Sequence, residues 1–177
     1  MSLTTNALRN VLYTTLHHAG MAAHLEEGSG WSTDKPRSRP ADVLVTNWNR
    51  GCSAAIDVSV TSPLNPSHIM EAGMSSGVAA KAVEERKHAQ NDPKCIELRW
   101  QCIPFVAETY GAWGAEARQA LSQVATRLAI RCCRPKSQVL NEIYGRLGIT
   151  LVRANVRAIL NRSYSPLSEV FSPGEVH

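Results

Sequence analysis

The stretch "RPADVLVTNWNRGCSAAIDVSV", residues 39–60, decides the fold of this 177-residue chain. It contains two apolar runs rich in β-branched residues, "DVLVTNW" and "AAIDVSV", which favour strands. The polar "NRGC" between them predicts the turn of a hairpin. Each run carries one aspartate, Asp42 at the head of the first and Asp57 inside the second. We therefore expect two neighbouring strands with one carboxylate on each.

Two carboxylates side by side require compensation. At about 4 Å and an effective dielectric constant near ~20, two like charges repel by roughly 4 kcal/mol. A proton on one carboxyl, an arginine between the two, or a bridging divalent cation such as Mg²⁺ would each offset the repulsion. The alternative is that both aspartates face solvent at strand ends. Asp57 lies between Ile56 and Val58, which favours a more buried setting.

The remaining periodicities predict helices around these strands. We expect a helix over residues 7–19 and a short strand in "MAAHLEE" before the hairpin. After the hairpin we expect a helix over residues 69–89 that ends at "NDP", followed by strands in "CIEL" and "QCIPFVAET". We then expect a helix over residues 114–133 and a last helix over residues 137–160, which is broken near Gly148. The order predicts an α/β fold, a small mixed central sheet flanked by helices, with C-terminal helices. We expect one domain over residues 1–163 and a flexible tail over residues 164–177.

Composition narrows the function classes. Hydrophobic residues make up 44% and charged residues 19% of the chain, a globular balance. Residues 99–177 hold 10 of the 19 Lys and Arg but 5 of the 15 Asp and Glu, which indicates either a polyanionic partner or an ordinary solvated basic face. No apolar run reaches the ~18 residues of a membrane span, and we identify no signal peptide. We expect an intracellular, nuclear location and no membrane association.

The five cysteines have no disulfide spacing and include no CxxC pair, and Cys132 and Cys133 are adjacent. Adjacent thiols suit tetrahedral zinc poorly, so we interpret the cysteines as buried structural thiols in a reducing compartment.

Other side chains of suitable chemistry lie near the two aspartates in sequence. Lys87 comes late in the helix that follows the Asp57 strand, and a helix that crosses back over the sheet can return its far end to that strand. A cation there would position water or stabilise a crowded phosphate. Glu26 and Glu27, just before the Asp42 strand, supply a candidate third carboxylate.

These segments, "RPADVLV", "AAIDVSV" and "EERKH", resemble the restriction-endonuclease-like nucleases of the PD-(D/E)XK superfamily, most closely the endonuclease domain of site-specific non-LTR retrotransposons. In that branch a basic residue and a proline precede the first aspartate, and the catalytic lysine has moved to the helix after the second. By this resemblance Asp42 and Asp57 match the two acidic positions, Lys87 matches the lysine, and Glu26 or Glu27 matches an acidic residue from the first helix or its exit.

The resemblance covers roughly residues 7–110 and implies a core of one helix, a three-stranded meander, a helix and a further strand. It implies hydrolysis of DNA phosphodiester bonds with Mg²⁺ or Mn²⁺ held by Asp42 and Asp57, and DNA and a reverse transcriptase of the same polyprotein as partners. Two departures stand out. Ala41 separates the proline from the aspartate, and Ser59 occupies the classical position of the lysine. The alternative is a decayed nuclease fold that acts as a nucleic-acid-binding or protein-interaction module.

Three arginines are candidate nucleic-acid contacts: Arg39 before the first aspartate, and Arg153 and Arg157, four residues apart in the last helix. Arginine suits phosphate geometry, but a solvated arginine face is the competing interpretation. We expect Val152, Val156, Ile159 and Leu160 to form the packed apolar stripe of that helix.

Further alternatives concern single residues. Lys81 replaces Lys87 if Lys87 does not reach the site. His18 faces the carboxylates or lies on the surface. Tyr110 and Trp113 pack on the sheet, or Trp113 stacks on a base.

Overall fold

The computed structural model describes residues 2–25, 41–67 and 69–163. Five helices and four strands lie within these ranges: α1 (Leu3–His18), β1 (Ala22–Leu25), β2 (Val43–Asn49), β3 (Cys52–Thr61), α2 (Ile69–Ala72), α3 (Val78–Glu97), β4 (Gln101–Glu108), α4 (Ala115–Cys132) and α5 (Lys136–Ser163). No helix of these ranges is long and apolar enough to cross a membrane. Residues 164–177, the expected tail, lie outside them.

The four strands form one mixed sheet, as the sequence predicted, and their order in it is β1-β2-β3-β4. The first three strands are an antiparallel meander, in which Val43 pairs with Ile56. β4 runs parallel to β3, so the chain must cross over between them, and α3 makes that crossover. The predicted hairpin turn is present, because β2 ends at Asn49 and β3 begins at Cys52.

Helices cover both faces of the sheet. On one face α1, α4 and α5 bury the main core, in which the largest fully buried side chains include Trp48, Phe105, Leu8, Leu121 and Leu147. On the other face, among the described residues, α3 is the helix that packs on the sheet, through small clusters such as Ala80 and Val83 with Val106. The residues of β3 therefore alternate between a closed core and the narrower interface with α3, and Asp57 belongs to the second set.

Two predictions about α3 are wrong. The helix does not stop at "NDP" but continues through Pro93 to Glu97, so "CIEL" is its last turn rather than a strand. Proline removes a helical hydrogen bond, but burial of Cys95 against Ala55 and Cys102 holds the last turn on the sheet. Tertiary packing therefore outweighs the local cost of a proline inside the helix.

The predicted helix over residues 69–89 is divided. A four-residue α2 is followed by a break, and α3 begins after Gly77, whose φ of +87° suits glycine. Met70 of α2 and Met74 in the break are 77% and 88% exposed.

Two expectations about α5 are also wrong. The helix is continuous past Gly148, because this position lies inside a helix packed on both α1 and α4. Val152, Val156, Ile159 and Leu160 are exposed, and the buried face consists instead of Val139, Ile143, Leu147, Leu151 and Ala154. The buried positions follow spacings of three and four, so the stripe exists but on a different face.

Candidate functional site

Asp42 immediately precedes β2 and is fixed between the backbone groups that flank Asp57. Its N–H donates to the carbonyl of Ile56 at 2.9 Å, and its Oδ2 accepts from the N–H of Val58 at 2.9 Å. The side chain is only 5% exposed. Since Val43 pairs with Ile56, the register places Asp42 beside Asp57 on the neighbouring strand. The predicted juxtaposition of the two aspartates is present.

Asp57 is held from the opposite direction by α3. Lys87 Nζ donates to Oδ1 at 2.9 Å and to Oδ2 at 2.8 Å, and Asn91 Nδ2 donates to Oδ2 at 2.8 Å. Lys87 and Asn91 are four residues apart, so they lie on the same face of the helix. Charge-assisted bonds of this length are the strong class of hydrogen bond. The lysine predicted from the sequence therefore reaches the second aspartate.

The two carboxylates influence each other electrostatically. Burial raises the pKa of the Asp42 carboxyl, and the nearby charge of Asp57 raises it further. The Val58 N–H and the positive charges of Lys87 and Arg9 act in the opposite sense on that pKa, without reversing its rise. A divalent cation would relieve the same repulsion and is attracted to this pair of oxygen-bearing side chains.

A cavity of about 230 Å³ opens beside Asp57. Its walls include Ser2 and Thr5 of α1, Ser59 of β3, and Arg86 and Lys87 of α3. The volume is below the ~300 Å³ of the smaller ligand pockets, and the hydroxyl and charged side chains among its walls suit a phosphate group or a hydrated cation. Ser59 lines this cavity from β3, and Lys87 lines it from α3.

Buried glutamates fix the helix that carries Lys87. Glu108, at the end of β4, accepts from the N–H of Ala80 at 3.0 Å and so caps the first turn of α3. Glu84, one turn before Lys87, accepts from the N–H groups of Ala115 and Glu116 at the start of α4. These contacts orient α3 between the sheet and α4.

Burial raises the pKa of the Glu84 carboxyl, against the lowering effect of the N–H groups that it accepts. A Cβ at Gly114 would overlap the Glu84 carboxylate, so a larger residue there would force that side chain to move. Glu84 therefore faces α4 and not the Asp57 site.

Two of the alternative residues lie away from this site, and three of the predicted residues are not described by the structure. Glu26, Glu27 and Arg39 lie outside the described residues. Lys81, the alternative lysine, is 77% exposed in its side chain and lies 3.9 Å from Glu85. His18 is exposed and lines a separate groove with residues of α4 and α5.

The two aromatic residues before α4 differ in setting. Trp113 packs against Phe105 and Tyr144, with ring centroids 5.9 and 6.0 Å apart, so its ring belongs to the core and not to a base-stacking surface. Tyr110, predicted to pack on the sheet, is 73% exposed.

Arg153 and Arg157 are exposed on α5. Arg153 and Arg146 line a groove of about 480 Å³ between α5 and α1. Closer to the C-terminal end of α5, Asn155 donates to the carbonyl of Thr109 at 2.9 Å. This contact ties α5 to the end of β4, near Thr61 at the end of the strand that carries Asp57.

Asn91 and Arg86 are site residues that sequence reasoning missed. Asn91 was placed beyond the helix because "NDP" was interpreted as its end. The signal was the four-residue spacing from Lys87. Of the cysteines, Cys95 and Cys102 are buried, while Cys52, Cys132 and Cys133 are exposed, so the prediction of buried thiols is wrong for those three.

Comparisons with known proteins give no assignment. No family model matches the chain, and neither the curated proteins nor the solved structures contain a significant match. The geometry of Asp42, Asp57 and Lys87 is therefore the basis for a functional proposal.

Proposed function

We propose that this chain is a metal-dependent DNA endonuclease with a restriction-endonuclease-like core. The observation that carries the proposal is the bidentate contact of Lys87 with Asp57, next to the buried Asp42 on the adjacent strand. The resemblance drawn from the sequence implied this arrangement: two strand aspartates and a lysine from the following helix. The element order supports it as well, because α1, the β1–β3 meander, α3 and β4 follow the implied core.

The donor set fits a hard cation. Asp42 and Asp57 offer carboxylate oxygens, the ligands that Mg²⁺ and Mn²⁺ prefer, and the cavity beside Asp57 leaves room for water and a phosphate oxygen. When bound, the cation lowers the pKa of a coordinated water and neutralises charge on the phosphate.

The residues of the chain then have distinct roles. Asp42 and Asp57 hold the cation. Lys87, released from one of its two contacts with Asp57, orients the attacking water or neutralises a non-bridging phosphate oxygen. The attacking water would give up one proton to solvent and bond to phosphorus as the bond to the leaving oxygen breaks, and the leaving oxygen would take up a proton from solvent, giving a phosphate monoester and a hydroxyl end. Asn91 keeps Asp57 oriented throughout.

One observation favours a second function. Lys87 contacts both oxygens of Asp57, so a cation bound there would have to share the carboxylate with a second positive charge. If the lysine holds its position against the cation, the protein is a nucleic-acid-binding or interaction module on a decayed nuclease fold.

Paired measurements on one preparation separate the two functions. Affinity for a plasmid-derived duplex is measured in Ca²⁺, and cleavage of the supercoiled plasmid is measured in Mg²⁺ and in Mn²⁺. The endonuclease proposal predicts binding in Ca²⁺ and nicked or linear product in Mg²⁺ or Mn²⁺. Binding without product in either metal would support the decayed module, and absence of both would remove DNA as the partner.

A further inference from the structure

A second group of polar side chains lies on the next turns of α3. His88 Nδ1 is 2.9 Å from Asp92 Oδ1, and His88 Nε2 is 2.9 Å from Glu116 Oε1 of α4. Cys102 of β4 faces the same point. The candidate ligand atoms of His88, Asp92 and Cys102 all lie within 4.8 Å of one another.

The fold brings these residues together through the crossover. His88 and Asp92 are four residues apart and share a face of α3, and the same face one turn later carries Cys95, which is packed with Cys102. Three residues connect α3 to β4, so the second residue of the strand, Cys102, returns directly beneath the end of the helix. Asp92 lies on this helix face because α3 continues through "NDP", a continuation that the sequence did not predict.

We propose that His88, Asp92 and Cys102 bind a zinc ion, with a water molecule in the fourth position. Zinc–nitrogen and zinc–oxygen bonds of about 2.0 Å and a zinc–sulfur bond of about 2.3 Å place the ligand atoms of a tetrahedron roughly 3.5 Å apart. The observed spread within 4.8 Å needs only a contraction of about 1 Å, which rotamer adjustment on a surface-facing helix permits.

The hydrogen-bond partners of His88 resemble those of a zinc-bound histidine. With Nδ1 on the metal, the Nε2–H donates to Glu116, and a carboxylate on the far nitrogen is the usual partner of a zinc-bound histidine. Asp92 exchanges its contact with Nδ1 for the ion. The ion would therefore replace the hydrogen bond between His88 and Asp92 with a bond to each of them.

Ligand chemistry separates this site from the Asp42–Asp57 pair. Thiolate and imidazole select zinc and other softer metals, whereas paired carboxylates select Mg²⁺ or Mn²⁺. His88 follows Lys87 directly, so zinc would fix α3 to β4 beside the proposed catalytic site. The zinc site does not depend on nuclease activity, since its residues and its metal are different.

Cobalt substitution tests the proposal on the full chain purified under reducing conditions. Titration of the metal-free protein with Co²⁺ is expected to give one equivalent of tetrahedral cobalt, with visible d–d bands and a near-ultraviolet thiolate charge-transfer band that Zn²⁺ abolishes. Cys102→Ser is expected to lose the charge-transfer band. Glu116→Gln is expected to weaken metal affinity by about 10- to 100-fold, as for other partners of zinc-bound histidines.

The matched control is the double variant Cys132→Ser/Cys133→Ser, which removes two exposed thiols and is expected to keep the full spectrum. His88→Gln, checked for folding by circular dichroism, provides a second ligand variant if Cys102→Ser does not fold. The proposal is overturned if the wild type shows no thiolate band, or if the band survives His88→Gln and disappears in the control.

Discussion

Lys87 donates to both carboxylate oxygens of Asp57, at 2.9 and 2.8 Å, from the helix that follows the strand of that aspartate. The pair is partly buried, with side-chain exposures of 22% and 14%, so solvent screens it less than an ordinary surface ion pair. This contact joins the crossover helix to the sheet at the cavity, and the predictions below follow from it and its supports.

Lys87→Ala is expected to reduce DNA cleavage by about 100- to 1,000-fold, the usual effect of removing one group that stabilises transition-state charge. Metal affinity should not fall, because the lysine and the cation compete for Asp57. Lys81→Ala, on the exposed side of the same helix, is the control and should cleave as the wild type does. Equal activity of both variants would exclude Lys87 from the reaction.

Ionisation of the Asp42 carboxyl should lower the free energy of unfolding as pH rises. A carboxyl whose pKa is raised in the folded protein binds its proton more tightly there than in the unfolded chain, where the value is 3.8. Its stabilising contribution is therefore complete below 3.8 and is lost as pH rises through the folded-state pKa. Asp42→Asn keeps an oxygen for the Val58 N–H and removes the ionisation.

Thermal unfolding of the wild type and of Asp42→Asn across the acid-to-neutral range checks this linkage. The variant is expected to lose less stability on going to neutral pH, and to have no nuclease activity. Glu85→Gln, at an exposed position, should follow the wild-type profile. Parallel profiles for Asp42→Asn and the wild type would show that Asp42 is not the titrating group.

Glu108 is expected to contribute to the free energy of unfolding and not to DNA cleavage. Glu108→Ala leaves the buried N–H of Ala80 without its acceptor, at a cost of about 1–3 kcal/mol in the free energy of unfolding. Chemical denaturation measures the loss. Glu85→Ala should change the free energy by less than about 0.5 kcal/mol. An unchanged free energy for Glu108→Ala would mean that the cap contributes nothing.

Arg153 and Arg157 are expected to contact phosphates outside the catalytic site. Each lost contact lowers the slope of log affinity against log salt by about 0.9 for duplex DNA, so Arg153→Gln/Arg157→Gln should lower it by roughly two units. The loss should be the same for unrelated sequences, because phosphate contacts do not read bases. An unchanged slope and affinity would identify a solvated arginine face.

The hairpin and its aspartates could be predicted because local signals agree. Two β-branched runs and a polar turn predict the hairpin, but an irregularity between Val45 and Asn49 shifts the register that the turn alone would give, and the shifted register places Asp42 beside Asp57. Lys87 could be predicted only with the family resemblance, since spacing alone does not say how far a crossover helix returns.

The errors arose where distant packing outweighs local preference. Pro93 predicts a helix end, but the burial of Cys95 carries α3 past it. Asn91, Asp92 and the group around Cys102 were missed for that reason. The apolar residues near the end of α5 predicted a packed stripe, but only the register against α1 and α4 decides which face is buried.

The rate of supercoiled-plasmid cleavage in Mg²⁺ by the wild type and by Asp57→Asn tests the central claim most directly, with Glu85→Gln as the control. Asn is nearly isosteric but carries no charge to hold the cation. The account predicts Mg²⁺-dependent cleavage that falls at least about 100-fold in Asp57→Asn, equivalent to a loss of about 2.7 kcal/mol in transition-state stabilisation, and is unchanged in the control. Cleavage at the wild-type rate by Asp57→Asn would contradict it.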